Sequence, residues 1–96
     1  MRKYEIMFIV RPTLSEAESK VVIKKFADIL SSNGAKITEE KDLGQRELAY
    51  EINDFKTGFY YLFNLEASDD TAISEFDRQA KNTQDIVRHL ITKIED

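Results

Sequence analysis

Residues 42–52 constrain the fold of this chain more than any other segment. Arg46, Leu48, Tyr50 and Ile52 fall on one face of an extended stretch, and Gln45, Glu47, Ala49 and Glu51 on the other. Strand side chains repeat every second residue, so the pattern predicts a half-buried strand with one apolar face. Gly44 interrupts the run where a bulge with positive φ is expected. A strand needs neighbours, and three more segments qualify. Residues 3–10 alternate, with Tyr4, Ile6, Phe8 and Val10 toward the core and Lys3, Glu5, Met7 and Ile9 opposite, until Pro12 ends the strand. Residues 59–66 set Phe59, Tyr61, Phe63 and Leu65 against Tyr60, Leu62, Asn64 and Glu66, and residues 86–94 form the last strand. The cluster 53–58 reads as a turn longer than a tight hairpin.

Two helices separate these strands. Thr13 with Glu16 and Ser15 with Glu18 form overlapping capping boxes. Leu14, Ala17, Val21, Val22, Phe26, Ile29 and Leu30 follow as a core stripe, and Gly34 is the expected left-handed cap. Ser68, helped by Asp69 and Asp70, is expected to cap a second helix with Ala72, Ile73, Phe76 and Ala80 inward, which Asn82 and Thr83 end. The order βαββαβ predicts an α+β, ferredoxin-like fold: a four-stranded antiparallel sheet with both helices on one face, in a single domain spanning residues 1–96. Met7, Ile9, Tyr60 and Leu62 are then expected on the uncovered face, as a docking surface.

Composition narrows the chemistry. The absence of cysteine excludes disulfides and thiolate catalysis, and the lone His89 has no second histidine with which to build a metal site. His89 is read as a surface or RNA-facing residue. Glu39, Glu40 and Asp42 form a solvated run, not a facing catalytic pair. Small acyl-phosphate hydrolases share the topology, but the loop Arg11-Pro12-Thr13-Leu14 lacks the glycines of a phosphate cradle. The apolar run 6–10 is too short for a signal peptide core or a membrane span, so a cytoplasmic location is expected. A net charge of −4 argues against a stand-alone nucleic-acid binder. RNA contact would need a local basic patch or a basic partner. Arg2, Lys3, Arg88 and Lys93, on neighbouring first and last strands, are expected to converge on one region, and Arg46 follows the bulge.

Leu43-Gly44-x-Arg46-x-Leu48-Ala49-Tyr50 closely resembles the signature of the bacterial small-ribosomal-subunit protein six family. Met1 to Glu5, Arg11-Pro12, Asn33-Gly34-Ala35, the stretch 52–60, Glu75-Phe76-Asp77-Arg78 and the stretch 86–91 resemble its other segments in order and spacing. Gln45 and Glu47 stand where related sequences often carry basic residues, leaving Arg46 as the only cation between Gly44 and Leu48. The resemblance implies a structural component of the small subunit, without enzymatic activity, cofactor, membrane association or small-molecule substrate. It implies a heterodimer with ribosomal protein eighteen that binds the central domain of the small-subunit rRNA at a junction organised by protein fifteen. The RNA-facing candidates are Arg2, Lys3, Arg46, Arg88 and Lys93; the partner-facing candidates are Leu48, Tyr50, Tyr60 and Leu62. Two alternatives stay open. Lys56-x-Gly58-Phe59-Tyr60-Tyr61 has a likeness to the third strand of an RNA-recognition motif, although the first strand offers Met7 and Ile9 where such motifs stack a base. A ferredoxin-like dimerisation or regulatory domain is the other.

Overall fold

The computed structural model describes residues 2–52 and 55–95. Strand β1 (Arg2–Val10), helix α1 (Glu16–Ser32), strands β2 (Lys36–Ile52) and β3 (Phe55–Ala67), helix α2 (Thr71–Lys81) and strand β4 (Ile86–Glu95) follow in that order. The strands form one antiparallel sheet in the order β2-β3-β1-β4. This is the expected ferredoxin-like arrangement.

The core lies between sheet and helices. Tyr4, Ile6, Phe8 and Val10 are buried as their alternation requires, against Phe63, Leu65, Phe26, Leu30 and Phe76. The rings of Phe8, Phe63, Phe76 and Phe26 form a chain of edge and tilted contacts with centroids 5.1–5.8 Å apart. Ser15 and Glu18 form the reciprocal capping box of α1, each side chain bonding the other's backbone N–H at 3.1 Å. At its other end Gly34 adopts φ +94°. The amides of Gly34 and Ala35 donate to Ser31 and Leu30, a Schellman closure.

Three expectations change. The α1 stripe is Ser19, Val22, Phe26 and Leu30, while Val21 is 69% exposed and Ala17 is also exposed. The helical phase places a serine in the core. Helix α2 starts two residues later than Ser68 implies, with Asp70 at the N-cap and Asp69 accepting from the Thr71 amide at 3.0 Å. The segment 53–58 expected as a turn also changes. Residues 55–58 belong to β3, and Asn53 and Asp54 lie outside the described residues.

Candidate partner and nucleic-acid interface

The face of the sheet turned away from the helices is built in rows, because antiparallel register aligns one residue from each strand. Leu62, Met7 and Leu90 share one row, and Tyr60, Ile9 and Arg88 the next. Beyond the Leu62 row lie Asn64, Glu5 and Thr92; β2 adds Lys41 to the Leu62 row itself, Glu39 to the Asn64 row and Lys36 opposite Glu66. Apolar groups thus cluster near one end, and charges of both signs occupy the other.

Strand β2 changes shape at the apolar end. The first irregularity is at Gly44, where φ is +80° and the Asp42 carboxylate accepts the Gly44 amide at 2.8 Å. The second is larger. Between the pairs Glu47–Thr57 and Ile52–Phe55, residues 48–51 of β2 face only Lys56 of β3. The surplus backbone arches over the open face. Tyr50 of β2 reaches Arg88 of β4, its hydroxyl accepting from Nη1 at 3.1 Å. Two strands lie between them in the sheet, and at ~4.8 Å per strand an uncurved β2 would stay ~14 Å away.

Close approach on this face requires Gly58. A Cβ there would stand 2.3 Å from Ile9 Cγ2, and Ile9 is only 5% exposed although it faces away from the helices. Under the arch is a hollow of about 240 Å³ lined by Met7, Ile9, Leu48, Tyr50, Tyr60 and Leu90, with Arg88 and His89 completing it. Three of the four partner-facing candidates therefore come together. Leu62 shares the face but stands outside the hollow's lining.

Of the cationic candidates, Arg2 and Lys93 come near each other, but Lys3, Arg46 and Arg88 do not join them. Lys3 and Arg88 share the open face, but Arg88 pairs with Ile9, six residues along β1 from Lys3, a separation of ~20 Å at 3.3 Å per residue. Arg2 pairs with buried Ala67, and Lys93 with buried Tyr4, so their register positions belong to the helix side. Arg46 pairs with Gly58 beside the arch, and its Nε donates to the Leu43 carbonyl at 3.2 Å. Arg46 and Arg88 stand at the same end of the face, and neither has a carboxylate partner among the described residues.

His89 is a correction. Its ring turns toward the helices, 15% exposed, with Nε2 2.7 Å from Asp77 Oδ1 and the ring edge against Phe76. That hydrogen bond, then the Lys81 ammonium at 2.8 Å, holds the Asp77 carboxyl below the usual carboxylate range. The arrangement fastens α2 to β4. Sequence reading also missed Arg11, whose guanidinium binds Asp85 at 2.9 Å and Thr13 at 2.8 Å, tying the exit of β1 to the entry of β4. Among the described residues no cluster of three metal-ligating side chains occurs.

A crystal structure of 30S ribosomal protein S6 from Thermotoga maritima matches with a TM-score of 0.92 at 26% identity, over 97% of this chain and 87% of that one. The C-terminal domain of the MgtC protein from Mycobacterium tuberculosis shares the fold alone, with a TM-score of 0.64 at 10% identity over 99% and 89% of the two chains. Since the family model for ribosomal protein S6 matches residues 3–93, the chain belongs to the ribosomal protein S6 family, whose members are small-subunit ribosomal proteins.

Proposed function

We propose that this chain is a non-catalytic structural component of the small ribosomal subunit. It holds the central domain of the small-subunit rRNA jointly with ribosomal protein eighteen, at a junction already organised by protein fifteen. The observation that carries the reading is an uncovered sheet face, apolar and aromatic at one end, on a chain of net charge −4. Such a chain meets RNA weakly by itself, because phosphate neutralisation supplies most non-specific affinity. A basic companion seated on the apolar face provides that charge, and membership of a ribosomal family supports reading it as a ribosomal protein. Leu48, Tyr50, Tyr60 and Leu62 receive it; Arg2, Lys3, Arg46, Arg88 and Lys93 supply this chain's own phosphate contacts. The 96 residues act as one domain, in the cytoplasm, on the ribosome.

The test is a filter-binding titration of a central-domain rRNA fragment with this chain, with protein eighteen, and with both, protein fifteen being present throughout. Tight retention only when both are added is the expected result. Retention by this chain alone would support a free-standing recognition module, and no contribution from it in any mixture would refute the reading.

A further inference from the structure

The hollow under the β2 arch has the dimensions of a socket, not of a flat apolar contact. An engineered cavity of ~150 Å³ holds a benzene ring, so about 240 Å³ has room for an aromatic or branched aliphatic side chain. Its floor is Ile9, fitted against Gly58; its far wall is Leu48 and Tyr50, fixed across the sheet by the hydrogen bond to Arg88.

Electrostatics specify what sits at the rim. Toward the other end of the face, Glu5, Glu39 and Glu66 are interspersed with Lys3, Lys36 and Lys41, and one of these pairs, Lys41–Glu39, closes to 3.3 Å. The lining of the hollow itself holds Arg88 and no carboxylate, while Glu47 and Glu51 line the neighbouring depression, where Glu51 stands 3.9 Å from Lys56. Tyr50 occupies one of the five donors of the Arg88 guanidinium, and no described carboxylate answers it. We infer that the protein partner anchors through a single aromatic or branched aliphatic side chain seated in this hollow, next to a carboxylate that takes two of the remaining donors of Arg88. The inference rests on the heterodimer reading and deepens it. A partner that is basic overall carries an acidic group at this one point, and most of its affinity comes from the anchor, as buried anchors in pockets dominate interfaces.

The test is calorimetric titration of the full chain with ribosomal protein eighteen in the absence of RNA, so that phosphate contacts play no part. Leu90 stands at the rim, 54% exposed, and Leu90→Trp fills the hollow while keeping the face apolar. The expected loss is about tenfold or more in affinity. Leu48→Ala removes a wall without adding bulk and is expected to cost a similar factor; Arg88→Met keeps the apolar stem and is expected to cost several-fold. Far-ultraviolet circular dichroism checks that each variant is folded. Wild-type affinity in Leu90→Trp or Leu48→Ala would overturn the socket in favour of binding by area alone, and wild-type affinity in Arg88→Met would overturn the carboxylate. If the wild-type chain itself fails to bind, the heterodimer reading falls first and takes the socket with it.

Discussion

At Gly58 the backbone of β3 passes so close to Ile9 that no other residue fits without moving a buried side chain. A Cβ would meet Ile9 Cγ2 at 2.3 Å, and that methyl is attached directly to Cβ of a residue 5% exposed, so it has little room to rotate away. Overpacking of this kind costs ~1–3 kcal/mol. Gly58→Ala is therefore expected to lower the urea midpoint by that equivalent. In the background of Ile9→Ala, which removes the clashing methyl, the same substitution should cost much less; additive losses would show that the contact is not the cause. Ser19 presents the opposite case. It is 2% exposed on the core stripe of α1, and its hydroxyl has no hydrogen-bond partner among the described residues. A buried unpaired hydroxyl is destabilising and alanine is the better helix former, so Ser19→Ala should gain ~1 kcal/mol in chemical unfolding. A loss instead would mean that the hydroxyl is satisfied after all.

Elements were legible in this sequence wherever the pattern was local. Alternation in β1 places Tyr4, Ile6, Phe8 and Val10 in the core, and both faces of β3 follow it as well. The arch of β2 was not legible. Its alternation runs on through Leu48, Tyr50 and Ile52 as if the ladder were regular, while the departure from it depends on a tie to Arg88, 38 residues away. The orientation of His89 likewise depends on its register with Phe8 and on a carboxylate from α2. One error was avoidable, since alternation in β1 already separates Arg2 from Lys3. The His89–Asp77 bond carries a prediction for α2. Asp77 is held below the ordinary carboxylate range, first by His89 and then by Lys81. A carboxyl depressed in the folded state contributes stability that is present above its unfolded pKa, ~3.9, and is lost as pH falls through the folded value. Asp77→Asn should be less stable than wild type at pH 7, and its urea midpoint should fall less steeply through the acid range below pH ~5. Parallel acid profiles for the two proteins would remove Asp77 from the account.

Across the whole molecule, charge is divided in a way the net value of −4 conceals. Arg46 and Arg88 stand at the hollow end of the open face, Lys3 at its far end, and Arg2 and Lys93 at register positions on the helix side. Cations at opposite ends or on opposite faces cannot share one phosphate, although Arg2 and Lys93, diagonal neighbours on β1 and β4, can meet the same one. If each meets its own, the counterions released on binding add independently, at about one unit of slope in log affinity against log salt per contact. For the complex with the central-domain RNA and both companion proteins, Arg2→Ala should reduce that slope by about 1, and Arg88→Ala by less, because the partner carboxylate at the socket already answers part of its charge. An Arg88 effect equal to that of Arg2 places some donors on RNA; an unchanged slope with both residues substituted means that the partner carries the phosphate contacts and this chain acts by shape alone.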